Sequence, residues 1–138
     1  DTALNAIRLL CGESVSKKIT STEGPWGTYG PELKCDAGHA LVGFNLKVEP
    51  PQSGDDTAAN SIRMVCRDLT QASGQSTTLL PNDDGITGGK WGSWADEYVY
   101  APANHAICGI ETKVEGRRGN GDDTALNDVR FALCRYAE

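Results

Sequence analysis

No stretch of this sequence approaches the ~20 consecutive apolar residues that a membrane-spanning helix needs. Nothing sustains a helical period over three turns either, which argues against a helical fold. Basic residues are the scarcer charge: 13 Lys and Arg stand against 19 Asp and Glu, a formal charge of -6, so neither nucleic acid nor an anionic membrane is expected as the main partner. The two histidines, His39 and His105, have no cysteine or carboxylate at metal-ligand spacing, and no cysteine pair has the C-x-x-C form of a zinc site. No serine sits in a Gly-x-Ser-x-Gly setting, which leaves a serine-nucleophile triad without its usual frame. No cofactor is called for. No signal peptide is visible, but a secreted chain would already have lost one.

What is present is repetition. At 138 residues the chain fits one domain, and 38% hydrophobic content with 16 glycines suits an all-β protein full of turns. The phrase Asp1-Thr-Ala-Leu-Asn-Ala-Ile-Arg8 returns as Asp56-Thr-Ala-Ala-Asn-Ser-Ile-Arg63 and as Asp123-Thr-Ala-Leu-Asn-Asp-Val-Arg130. Three copies imply a repeat architecture with approximate threefold symmetry. The second and third copies also match upstream: Gly24-Pro-Trp26-Gly-Thr-Tyr29 aligns with Gly89-Lys-Trp91-Gly-Ser-Trp94, and His39-Ala-Leu-Val-Gly43 with His105-Ala-Ile-Cys-Gly109. Alternation in Phe44, Leu46, Val48 and in Ile110, Thr112, Val114 is strand periodicity, one face in and one out. Each repeat reads as about four antiparallel strands, and the three repeats as three sheets around one core. The divisions fall at 1–12 for the end of repeat one, 13–67 for repeat two and 68–138 for repeat three. Repeat three is the longer, with most of the extra residues in the turn-rich stretch 81–89, an extended exposed hairpin or a specificity loop.

Five cysteines without a metal pattern fit a disulfide framework better than a metal site. The repeat alignment suggests Cys35 with Cys66 inside repeat two, and Cys108 with Cys134 inside repeat three. Cys11, the equivalent of Cys66, is left over. Either it is a free buried thiol, or the chain is the remainder of a longer polypeptide whose missing N-terminal segment is bridged to Cys11. The second reading is preferred because Asp1 begins in the middle of a repeat phrase.

The Trp-Gly-x-aromatic turns, Phe44-Asn-Leu-Lys-Val-Glu-Pro-Pro51 and the Gly-Asp-Asp-Thr-Ala-(Leu/Ala)-Asn-x-(Ile/Val)-Arg signature at 54–63 and 121–130 resemble the vitelline membrane outer layer protein I family across essentially the whole chain. The resemblance implies a β-prism of three Greek-key sheets with pseudo-threefold symmetry, its first repeat here incomplete, in a secreted disulfide-bonded protein. It implies a structural, non-enzymatic component of an egg-coat type layer, with other coat proteins or glycans as partners. The family is also associated with N-acetylglucosamine-type oligosaccharides, so lectin-like binding or a weak glycan transferase activity are the alternatives. Leu133 stands where relatives usually hold a cysteine, and the stretch Tyr98 to Ala106 lacks its partner.

Asp55, Asp56, Asn60 and Arg63, with Asp122, Asp123, Asn127 and Arg130, are candidates for a polar groove that binds sugar hydroxyls, or for calcium ligation by the acidic pairs. The competing reading is scaffold: Asp and Asn after glycine cap a turn and the arginine locks it, and a feature present in every repeat is more often structural than a site. Glu49 and Glu115 are candidates for a carboxylate pair, but as repeat equivalents at strand ends they read as solvated charges. Among the aromatics, Trp26 and Trp91 read as plugs at the ends of the core, whereas Tyr29 and Trp94 are the candidates for stacking on a sugar ring. His39 and His105 share one register and read as packing or turn residues.

Overall fold

The computed structural model describes residues 4–11, 17–24, 27–49, 59–71, 76–79, 92–114 and 126–136. Within them every regular element is a strand and every sheet pairing is antiparallel. The strands are β1 (Arg8–Cys11), β2 (Lys17–Thr20), β3 (His39–Val48), β4 (Ala59–Asp68), β5 (Ser76–Leu79), β6 (Ser93–Trp94), β7 (Val99–Tyr100), β8 (His105–Val114) and β9 (Leu126–Arg135). They form a β1-β2 ribbon, a central sheet in the order β5-β4-β3-β6 with β7 also on β3, and a β8-β9 ribbon.

The repeated sequence makes the same hairpin twice. His39 to Val48 pairs with Ala59 to Asp68, and His105 to Val114 with Leu126 to Arg135, each pair starting from the histidine. Register slips fall at Leu41/Gly43 and Lys47/Val48 in the first, and at the aligned Ile107/Gly109 and Lys113/Val114 in the second. A bulge adds a residue to one strand and re-phases the alternation beyond it. The extra residue is Val42, on β3, at the first slip, where it is fully buried, and Asn60, on β4, at the second, beside which Val48, expected inside with Phe44 and Leu46, is 39% exposed.

The three copies of the phrase converge at their fourth residues. The Leu4 amide donates to the Ala59 carbonyl at 2.8 Å, and the Leu126 amide donates to the Leu4 carbonyl at 2.5 Å. Ala59 and Leu126 are completely buried there. Lateral packing adds Phe44 of β3, edge-on to Phe131 of β9 with 4.9 Å between ring centroids. The Thr112 hydroxyl of β8 donates to the Thr22 carbonyl at 3.0 Å and so accepts from Ser21, at 2.6 Å, just past β2. A second buried cluster gathers Val42, Val65, Ala101 and Ala106 under Tyr98 and Tyr136.

One sheet takes in residues on both sides of the 67/68 division. Residues 92–101, placed by sequence in repeat three, lie along β3 of repeat two: Trp94 pairs with Lys47, Val99 with Phe44 and Tyr100 with Gly43. Gly92 makes this approach possible. Its φ is +90°, and a Cβ there would stand 2.5 Å from the Val48 carbonyl carbon. Gly27, its counterpart in the earlier Trp-Gly turn, has the same φ of +90°.

The bridges join Cys35 to Cys66 and Cys108 to Cys134, with Cα separations of 5.8 Å in each. Cys66 is buried, whereas both Cys108 and Cys134 are exposed. Thiol–disulfide exchange needs access to sulfur. Limited treatment with a thiol reductant, followed by alkylation and peptide mapping, is therefore expected to label Cys108 and Cys134 before Cys35 and Cys66.

Candidate functional site

The phrase arginines supply the geometry on which the site candidates turn. Arg8 opens β1, and its guanidinium lies over the Tyr29 ring, 3.6 Å from the centroid. Its Nη2 donates to Glu23 Oε1 at 3.2 Å, and the Tyr29 hydroxyl donates to the same oxygen at 2.6 Å. Arg63 of β4 repeats the arrangement on the next aromatic: its guanidinium is 3.8 Å from the Trp94 centroid, with Lys47 Nζ at 5.8 Å. A cation over an aromatic face contributes ~0.5 to 2 kcal/mol depending on desolvation. Each clamp ties a strand of one repeat to the Trp-Gly-x-aromatic turn that follows it. The same guanidinium covers one of the two ring faces that a sugar could stack on.

Arg130, the third phrase arginine, is placed differently. Its side chain is 83% exposed and, among the described residues, pairs with Glu111 at 3.8 Å. An ion pair that exposed contributes little. Of the other residues singled out by sequence, Asn60 is buried, at 3% exposure, and Asn127 is half-buried. Asp55, Asp56, Asp122 and Asp123 lie outside the described residues, as do Trp26, Trp91 and Glu115, and so does the loop at 81–89. The structure therefore brings Arg63 together with Trp94, and Arg8 with Tyr29. Among the described residues no three His, Cys, Asp or Glu side chains group as metal ligands.

The histidines are used locally. His39 Nδ1 donates to the Ala37 carbonyl at 3.1 Å and His105 Nδ1 to the Ala103 carbonyl at 2.8 Å, each closing the turn ahead of its strand. A carbonyl can only accept, so Nδ1 carries the proton in both rings. Cys11 is a free thiol, half-buried at the end of β1. Sequence reading missed Glu23, Lys47 and Glu111 as partners of the clamps and their counterpart. The available signal was the order of the motifs, since both clamped arginines precede a Trp-Gly-x-aromatic turn.

Residues 1–136 match the family model described as Vitelline membrane outer layer protein I. The chain belongs to this family. It is 41% identical over 140 residues to the human vitelline membrane outer layer protein 1 homolog, a match covering 98% of this chain and 62% of that one. The mouse protein of the same description is 37% identical over 139 residues, covering 97% of this chain and 62% of its own. This member thus spans less than two thirds of the length of those relatives. No helix among its described residues is long and apolar enough to cross a membrane.

In this family member the Arg8 clamp carries a pH signature. The Tyr29 hydrogen bond, and then Arg8, hold the Glu23 carboxyl below its usual value of 4.5. Burial, and then Glu23, push the Tyr29 hydroxyl above 10.0. A lowered carboxylate pKa stabilises above the unfolded value and is lost as pH falls through the folded one. A raised phenol pKa works in the opposite direction: its contribution is complete below pH 10.0 and is lost as pH rises through the folded value. The clamp is therefore strongest between the two limits. In Glu23→Gln, phenolate absorbance is expected to show Tyr29 ionising at a lower pH than in the parent protein, with burial keeping part of the shift.

Proposed function

We propose that this protein is a structural, non-enzymatic component of an extracellular coat of the vitelline-membrane outer-layer type. The observation that carries the reading is the family match over residues 1–136. The two bridges fit it, since disulfides persist in oxidising, extracellular compartments. We infer further that the fold is a β-prism of three Greek-key sheets about a pseudo-threefold axis. This is supported by the convergence of Leu4, Ala59 and Leu126 and by the matching register of the two long hairpins. On this reading the coat partners meet a rigid, cross-linked surface, and the phrase arginines serve as clamps inside it. Retention on isolated egg outer-layer material through a high-salt wash tests the proposal. The native protein should stay bound, and elution alongside an unrelated disulfide-bonded control of similar charge would overturn it.

Lectin-like recognition of N-acetylglucosamine-type oligosaccharides is a second reading. One observation favours it: Tyr29 is 45% exposed and flanked by the polar groups of Arg8 and Glu23, a combination that suits a sugar ring. Glycan-array binding that disappears in Tyr29→Ala would support it, and an empty array would remove it. Incubation with chitin oligomers and mass spectrometry tests the transferase alternative, which predicts products of altered length.

A further inference from the structure

One face of the central hairpin carries polar side chains that are closed off from solvent. Asn45 lies across from Arg63 and Lys47 across from Ser61, so the four side chains share that face in adjacent cross-strand pairs. Asn45 is 4% exposed and Ser61 2%. Trp94 pairs with Lys47, and the Arg63 guanidinium lies over its ring. Asn45 Nδ2 donates to the Ala95 carbonyl at 2.9 Å. A carbonyl only accepts, so this bond fixes the orientation of the amide and leaves Oδ1 purely an acceptor. Among the described residues, Asn45 Oδ1 and Ser61 Oγ are both buried and neither has a hydrogen-bond partner. Leaving one such atom unmatched is costly, and two of them on one patch call for a shared ligand.

We propose that a single internal water molecule bridges Asn45 Oδ1 and Ser61 Oγ. The chemistry selects the ligand. Asn45 Oδ1 must receive a hydrogen bond, which excludes an anion, and a cation is disfavoured by the Arg63 guanidinium and the Lys47 ammonium on the same face. Size selects it as well. At 4% and 2% exposure the two residues are out of reach of a glycan, a partner protein or any further length of chain, whereas a water needs little space and only about two to four polar partners. The water donates one hydrogen to Asn45 Oδ1 and makes its second bond with the Ser61 hydroxyl, which can donate or accept. It thereby pins the amide whose other end holds Ala95, and so helps to keep residues 92–101 on β3. The site belongs to this hairpin and not to the repeat. Ser61 stands where the other phrase copies have Ala6 and Asp128, and Asn45 where the third hairpin has Glu111, whose side chain is 75% exposed and solvated directly.

The water site stands whether or not the protein is a coat component. A high-resolution crystal structure tests it directly. One ordered water is expected within about 2.5 to 3.2 Å of both Asn45 Oδ1 and Ser61 Oγ, and it should be gone in Ser61→Ala. Stability separates the alternatives by sign. Removing a hydroxyl that has no partner relieves the fold, so Ser61→Ala would then be at least as stable as the parent protein. Removing a hydroxyl that holds the water leaves Asn45 Oδ1 unmatched. The unfolding equilibrium constant in urea is therefore expected to rise about threefold or more in Ser61→Ala. The Ala95 amide, which donates to the Leu46 carbonyl, should exchange its hydrogen faster in that variant relative to the amides of the β8–β9 hairpin. Absence of a water within reach of both atoms, a protein group bonded to either one, or a Ser61→Ala protein as stable as the parent would overturn the proposal.

Discussion

Replacing both Cys35 and Cys66 with alanine is expected to lower the unfolding free energy by roughly 3 to 4 kcal/mol, as judged by urea denaturation. The bridge spans 31 residues of sequence, and the loss comes mainly from the larger set of conformations open to the unfolded chain. Two structural features add to this. Residues 27–36 contain no strand, so the bridge is a main tie between that segment and β4. Cys66 is 1% exposed, so its removal also disturbs a packed site. A single domain holds only about 5 to 15 kcal/mol in total, which makes this a large fraction. A loss below about 1 kcal/mol would show that the denatured chain is already restricted around this loop.

Leu126→Ala should cost about 2 to 5 kcal/mol, the range for emptying a fully buried leucine site. Ala59→Leu, at the equivalent position of another phrase copy, should cost about 1 to 3 kcal/mol by overpacking. The informative protein combines them. If the three phrase copies share one apolar junction, as the hydrogen bonds linking Leu4 to Ala59 and Leu126 to Leu4 suggest, the added volume at 59 fills part of the space lost at 126. The double variant should then be more stable than the sum of the singles predicts, by about 0.5 kcal/mol or more. Additivity within that margin would mean that the two side chains pack into separate pockets.

Much of the scaffold was legible in the chain. Equal phrases gave equal hairpins, down to bulges at aligned positions, because backbone pairing is set by local residue pattern and turn chemistry. Aligning the repeats paired Cys35 with Cys66 and Cys108 with Cys134, and these are the bridges present. The shared register of His39 and His105 pointed to a turn role, and both rings bond the carbonyl two residues earlier. The site was less legible. Tyr29 and Trp94 were singled out for sugar stacking, yet each has a guanidinium on one ring face. The strand addition of residues 92–101 to β3 joins parts of the chain about fifty residues apart, a distance at which no local pattern operates.

The contrast between Arg63 and Arg130 separates the two kinds of information. Sequence by itself determined that both end the same phrase and sit on equivalent strands, and the structure sets them opposite Asn45 and Glu111 in equivalent registers. Only the tertiary structure decided that Arg63 lies packed over Trp94 while Arg130 stands 83% exposed. The reason is physical. A residue's strand, register and partner across the hairpin follow from its near neighbours in the chain. What covers it comes from elsewhere, and the β6–β7 segment that covers the central hairpin has no counterpart on β8 among the described residues.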